Sequence, residues 1–139
     1  MPDQHLPKYI GTWNLSRTIS DGTQVTGRAV FARAGEAALN YHEDVRAILP
    51  TGKSIEGAQK YTVQITGEHL EMYFCNGVNA GKLFQRFLVS AAESSSVHQC
   101  VKDTYRSTWM WIAADHFRLV HDVKGPAKNY LMTTDYFKE

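Results

Sequence analysis

The sequence predicts an all-β domain, an antiparallel up-and-down barrel of eight to ten strands with a short N-terminal turn or helix. Three observations predict it. Short segments rich in Val, Ile, Thr, Tyr, Phe and Trp recur at close intervals with turn residues between them. No stripe of helical period extends beyond two turns. Successive strands joined by tight turns must pair antiparallel, and closing the sheet removes its two adhesive edges.

The strands follow in order. Gly11–Ser20 is the first and is closed by Asp21-Gly22, a hairpin signal. Thr23–Arg33 ends at Ala34-Gly35, and Ala38–Leu49 is stopped by Pro50-Thr51-Gly52. Ser54–Ile65 ends at Thr66-Gly67, and His69–Cys75 at Asn76-Gly77. Gly81–Ser90 is the sixth, followed by an expected exposed loop, Ala91–Ser96. Val97–Ile112 is long enough for two strands or one bent strand. Phe117–Lys124, the turn Gly125-Pro126 and a last strand, Asn129–Phe137, complete the chain. All of residues 1–139 form one domain on this reading.

Alternation sorts the faces. Trp13, Leu15, Arg17 and Ile19 share one face of the first strand, opposite Thr12, Asn14, Ser16 and Thr18, so they point inward. Val25, Gly27, Ala29 and Phe31 align in the second; Leu39, Tyr41, Glu43, Val45 and Ala47 in the third; Phe117, Leu119, His121 and Val123 in the eighth. Small inward residues leave volume inside a barrel. His42 and His69 fall on outward faces.

The bulk numbers exclude several function classes. Of 139 residues 43% are hydrophobic, an ordinary globular content, and the net charge is +1. No basic excess exists to neutralise phosphates, so nucleic acid is not an expected partner. No apolar run is long enough to cross a bilayer, and the start shows no apolar signal segment, so a cytoplasmic setting without a membrane partner is expected. Cys75 and Cys100 match no metal spacing and read as small buried apolar residues. The six histidines show no HxH or HExxH spacing, so neither a metal nor another cofactor is expected. A homodimer is compatible with this composition.

Three ionisable residues sit between apolar neighbours of an inward face: Arg17, Glu43 and His121. A buried charge is costly unless paired. Either Arg17 and Glu43 form a structural pair tying neighbouring strands, or they line an aromatic cavity and act on a ligand. In Val97–Tyr105, His98 and Cys100 share one face and Asp103 and Tyr105 the other. A β-bulge near Val101 or Lys102 would bring all four to one side. Glu43, His98, Asp103 and His121 are then acid/base candidates, with Arg17, Arg86 and Lys128 as anion stabilisers. Trp13, Phe31, Tyr41, Tyr105, Trp109, Trp111 and Tyr130 would supply the ligand walls.

Gly11-Thr12-Trp13 opens the first strand with a GxW pattern like that of lipocalins and calycins. Gly27, Ala29 and Phe31, Leu39-Asn40-Tyr41-His42-Glu43, His98-x-Cys100-x-x-Asp103-x-Tyr105 and Gly125-Pro126-x-Lys128-x-Tyr130 extend the likeness over nearly the whole chain. The sequence resembles a small lipocalin-like barrel family of unknown function found in bacteria and fungi, some fungal members of which look like components of natural-product pathways. Members carry a Phe-His pair where this chain has Leu83-Phe84-Gln85-Arg86, which leaves Gln85 or Arg86 in that position. The resemblance implies a lipocalin-like barrel and, by fold analogy, a cofactor-free cyclase or isomerase acting on a hydrophobic aromatic, polyketide-like molecule. The alternatives are a non-catalytic carrier of a hydrophobic ligand and a heme-binding barrel using one inward histidine.

Overall fold

A computed structural model describes residues 2–139. A short 3-10 turn, Pro2–Lys8, precedes ten strands: β1 (Gly11–Ile19), β2 (Gln24–Gly35), β3 (Ala38–Ile48), β4 (Ser54–Thr66), β5 (His69–Phe74), β6 (Leu83–Leu88), β7 (Glu93–Cys100), β8 (Asp103–Ala113), β9 (His116–Lys124) and β10 (Asn129–Lys138). Their order in the sheet is β6-β5-β4-β3-β2-β1-β10-β9-β8-β7, so every chain neighbour within the ladder is a sheet neighbour and the two chain ends meet where β1 pairs with β10. This is the expected up-and-down barrel.

The inward faces are the ones alternation assigns. Trp13, Leu15, Ala29, Phe31, Leu39 and Tyr41 are buried, as are Phe117, Leu119, His121 and Val123. Gly27 has a specific steric duty. It lies opposite Val45, and a methyl group there would strike the Asp44 carbonyl and sit 2.8 Å from the Val45 Cα. The backbones of β2 and β3 approach closely at this bend, and only glycine permits it.

Two expectations fail between residues 91 and 105. The expected loop Ala91–Ser96 is largely strand, since β7 begins at Glu93. The expected bulge is instead a two-residue hairpin turn. Cys100 pairs with Asp103, and Val101 in the turn has φ 55°, a rare conformation for a β-branched residue. A hairpin still places His98, Cys100, Asp103 and Tyr105 on one face, because residues opposite each other in an antiparallel pair point the same way.

The serines of β7 explain why that segment is a strand. Among the described residues no backbone ladder joins β6 to β7. The Arg86 amide donates to Ser96 Oγ at 3.0 Å and the Leu88 amide to Ser94 Oγ at 3.0 Å. The Gln85 amide nitrogen donates to the Tyr105 carbonyl at 3.1 Å and to Ser107 Oγ at 2.7 Å. Side-chain hydroxyls thus satisfy amides that a ladder would otherwise take, and the barrel closes along a polar seam.

The N-terminal turn plugs one end. Leu6 and Tyr9 are buried against the base of the barrel. The Trp13 indole donates to the Tyr9 carbonyl at 2.9 Å. Trp13 meets Phe117 edge-on at 4.8 Å, Trp109 stacks on Phe117 at 4.3 Å, and Trp111 lies 5.7 Å from Tyr9. The Lys8 ammonium donates to the Val89 carbonyl, tying the plug to the strand wall. Of the two cysteines, Cys75 is exposed and Cys100 half-buried, so neither is the buried apolar filler expected.

Candidate functional site

Above the plug the barrel interior is open. An inner chamber of about 160 Å³ is lined by Arg17, Phe31, Tyr41, Glu43, Trp109, Phe117, Leu119 and Tyr136. A mouth chamber of about 370 Å³ is lined by Phe74, Asn79, His98, Cys100, Tyr105, Val123, Lys128 and Tyr130. Gln59, Tyr61, Phe84, His121 and Met132 belong to the walls of both, so the two chambers adjoin at a neck formed by those residues. The most voluminous cleft, about 510 Å³, lies elsewhere. It is an open groove on the outer surface, bordered by Arg28, His42, Asp44, Arg46 and Glu56, where a small molecule would remain in water.

The floor of the inner chamber is an ion pair in a hydrogen-bonded frame. Arg17 binds Glu43 through both terminal nitrogens, at 2.9 and 3.0 Å, and donates from Nε to Thr134 Oγ1 at 2.7 Å. The Tyr41 hydroxyl donates to Glu43 Oε1 at 2.5 Å and lies 2.9 Å from the Tyr136 hydroxyl. Arg17 and Glu43 are on β1 and β3, so they are not on neighbouring strands. They meet diagonally across β2, over the space that Gly27 and Ala29 leave. Burial alone would push the Arg17 guanidinium down, but Glu43 outweighs it and holds Arg17 charged. Burial chiefly, with the Glu43 charge adding to it, pushes the hydroxyls of Tyr41 and Tyr136 up, Tyr136 to about 12. Both phenols therefore stay neutral donors at physiological pH.

His121 stands at the neck on β9, opposite Ser107 of β8. Its Nδ1 is 2.6 Å from Ser107 Oγ. Burial, with Arg17 adding to it, lowers its pKa to about 4, so the imidazole is neutral. Its ring stacks on Phe84 at 5.7 Å.

The mouth carries a second polar group. Lys128 donates to the Tyr105 hydroxyl at 2.8 Å, lies over the Tyr105 ring at 5.5 Å, and is 3.5 Å from Asp103. Gly125 makes room for this arrangement, because any side chain there would collide with the Asp103 carboxylate. That is the physical content of the Asp103 … Gly125-x-x-Lys128 spacing. His98 pairs with Tyr105 across the hairpin and lies edge-on to Phe84 at 5.6 Å, with burial lowering its pKa.

Several residues proposed from sequence fall outside the cavity. Arg86 is on the outer face, 3.4 Å from Glu71 and 3.3 Å from the His69 ring, because its inward neighbour is Gln85. Trp13 and Trp111 belong to the packed base below the chambers, whereas Trp109 reaches the inner chamber. Asp103 does not line the cavity; it holds Lys128. Sequence reasoning passed over Gln59, Tyr61, Phe84, Met132 and Tyr136 as cavity walls and left Ser107 unnoticed. The parity of β4 and β10 carries the signal for Tyr61, Met132 and Tyr136. Nothing in the sequence marks Ser107. Among the described residues no group of three His, Cys, Asp or Glu side chains could hold a metal ion, and no helix is long and apolar enough to cross a membrane.

Solved structures with this architecture include natural and designed barrels. The S-type phycobiliprotein lyase CPES from Guillardia theta is similar over 98% of this chain and 91% of its own, with TM-score 0.64 and 6% identity. A designed barrel, EF1p2_mFAP2b bound to DFHBI, is similar over the full length of both chains with TM-score 0.55 and 12% identity. A second designed protein, a de novo fluorescence-activating β-barrel, gives the same TM-score and identity, again over both full lengths. At these identities the likeness is one of fold. No curated protein matches the chain in sequence. The model of a family of unknown function, DUF6314, matches residues 9–138, and the chain belongs to that family.

Proposed function

We propose that this protein binds a hydrophobic aromatic small molecule inside the barrel. The observation that carries the reading is the pair of adjoining interior chambers, walled by aromatic rings and holding a few fixed polar groups. Cavities of that composition suit apolar ligands oriented by one or two hydrogen bonds. The designed barrel bound to DFHBI supports the reading, since its architecture accommodates a small molecule. The exposed, unpaired Cys75 suits a reducing, cytoplasmic setting. Binding is tested by titrating the protein with polycyclic aromatic ketones and following the heat of binding by calorimetry. Met132→Trp, which fills the neck, abolishes the response while leaving the melting temperature within a few degrees. An unchanged titration in that variant refutes interior binding.

Cofactor-free cyclisation or isomerisation of such a molecule, for instance of a polyketide-like aromatic in a natural-product pathway, is a second reading. It is favoured by Glu43 and His121 lining one inner chamber. Confinement in a reactive conformation lowers the barrier by several kcal/mol. His121 would polarise a carbonyl and hydrogen-bond the charge formed on its oxygen, and His98 would act at the mouth. Turnover that falls in His121→Asn while the folded fraction is unchanged supports catalysis; turnover that only tracks folded protein leaves binding as the function. A heme-binding role fits His121 less well, since iron on Nε2 puts the ring hydrogen on Nδ1, where the Ser107 hydroxyl would have to turn and accept it. A Soret band in heme-reconstituted protein that is lost in His121→Phe would restore it.

A further inference from the structure

The hydrogen bonds behind His121 have a direction. The Tyr105 carbonyl can only accept, so the Gln85 atom 3.1 Å from it is the amide nitrogen. The second hydrogen of that nitrogen goes to Ser107 Oγ at 2.7 Å. Ser107 is fully buried and, among the described residues, its oxygen touches only Gln85 and His121. Its own hydrogen therefore has one destination, His121 Nδ1, 2.6 Å away. Nδ1 must then be the unprotonated nitrogen, and the ring carries its hydrogen on Nε2. The reverse arrangement would strand the Ser107 hydrogen in the protein interior without an acceptor, which a buried donor does not tolerate cheaply. The His121 ring lines both chambers, and Nε2 has no protein partner among the described residues.

The charges around the cavity point to the ligand's charge. Arg17 is paired with Glu43 in the floor, and Lys128 at the mouth is compensated by Asp103. An ionised ligand would find no free counter-charge, and burying it unpaired is costly.

We infer that Gln85, Ser107 and His121 form a one-way donor relay that presents the His121 Nε2–H to the cavity, so that the ligand is an uncharged aromatic molecule with a carbonyl oxygen seated against His121. The inference rests on the binding reading for its ligand but not for its relay. Gln85 stands in the Leu83–Arg86 segment, and its role is to set which histidine nitrogen carries the proton. It is a positioning residue, as is Ser107.

Two measurements test this. Nitrogen-15 NMR of the histidine-labelled full chain at neutral pH reads the tautomer without any ligand. The expected result is Nε2–H in the wild type and a mixture in Ser107→Ala. A wild-type His121 protonated on Nδ1 overturns the relay. Binding is then measured with 2-acetylnaphthalene, with 2-isopropylnaphthalene as the same shape lacking the carbonyl, and with 2-naphthoate as the charged analogue. His121→Phe and Ser107→Ala should each weaken the ketone about tenfold, the scale of one hydrogen bond, and leave the hydrocarbon unchanged. The carbonyl stretch of the bound ketone should move to higher frequency in the same variants. Equal losses for ketone and hydrocarbon overturn the donor role, and naphthoate binding as tightly as the ketone overturns the neutral ligand class. If none of the three probes binds the wild type, the binding reading and the ligand class fall together, while the NMR result still decides the relay.

Discussion

The two ends of this barrel are made of the same residue types and do opposite things. At the base, Trp13, Trp111 and Tyr9 pack on one another and on Trp109 and Phe117, which also line the inner chamber. At the mouth, Phe74, Phe84, Tyr105 and Tyr130 are equally aromatic but stand around a space of about 370 Å³. The difference lies in what completes each end. The base receives a plug from outside the sheet, with Leu6 and Tyr9 inserted from the N-terminal turn. The mouth receives side chains from its own strands and from the loops that join them, such as Asn79 and Lys128, with no segment inserted from outside the sheet. Aromatic residues inside a barrel therefore do not by themselves distinguish a core from a ligand wall.

The sharpest test of this contrast is truncation at each end. Trp13→Ala removes a fully buried ring and its hydrogen bond to Tyr9, and should cost about 3–5 kcal/mol. Phe84→Ala at the neck opens onto existing space, so its cost should be well below that. Urea denaturation of both variants checks the order, and equal losses would mean that the mouth is packed as tightly as the base.

Between the ends, the ion pair separates structural from ligand-directed charge. Arg17→Met leaves Glu43 buried with its main partner gone and should cost about 3 kcal/mol or more. The double variant Arg17→Met with Glu43→Leu removes both charges and should recover most of that loss. A double variant no more stable than the single one would show that the Tyr41 and Thr134 hydrogen bonds, rather than the pairing itself, hold this layer.

How much of this was legible in the sequence depends on which dimension is asked about. Alternation tells which face of a strand a residue occupies, and it identified the inward positions of β1, β2, β3 and β9, including Arg17, Glu43 and His121. It does not tell height along the barrel, which depends on strand tilt and stagger. That is why Trp13 and Trp111 read as ligand walls yet lie at the base. The serine strand escaped because its residues have weak β propensity and act by hydrogen-bonding across the seam, a contact invisible until β6 lies beside β7. The Val101-Lys102 turn escaped because it lacks the Gly or Asn that such a turn favours.

The smaller effects concern pH. His121 is neutral in the fold down to about pH 4, against an ordinary value of 6.5 in the unfolded chain. Between those values the unfolded state binds a proton that the native state refuses. This contribution is therefore fully present above pH 6.5 and is lost as pH falls through the window, by about 3 kcal/mol at pH 4. Carboxylates titrate in the lower part of the same range, so the wild-type curve alone does not isolate the histidine. His121→Gln does, because it deletes the titrating group and keeps a hydrogen-bonding side chain. The difference in stability between wild type and variant should shrink or reverse from pH 7 to pH 4.5. A difference that stays constant would show that His121 titrates as an exposed histidine does.

The smallest expected effect is at the rim. Lys128 is partly exposed, and its hydrogen bond to Tyr105 and contact with Asp103 are in reach of water. Exposed pairs of this kind contribute about 0–1 kcal/mol, so Lys128→Ala should barely change the melting temperature. Its effect belongs to the cavity. Without Lys128 the Tyr105 ring loses the cation that lies over it, and the mouth keeps Asp103 with no compensating charge. For a neutral aromatic ligand the loss should be less than about threefold, smaller than the loss in His121→Phe, because the neck makes the directed hydrogen bond and the rim does not. Calorimetric titration of both variants with 2-acetylnaphthalene measures the two losses side by side. If Lys128→Ala is the more damaging, recognition sits at the mouth rather than at the neck, and the contrast between a packed base and an open, recognising interior has to be redrawn with Tyr105 and Lys128 as its centre.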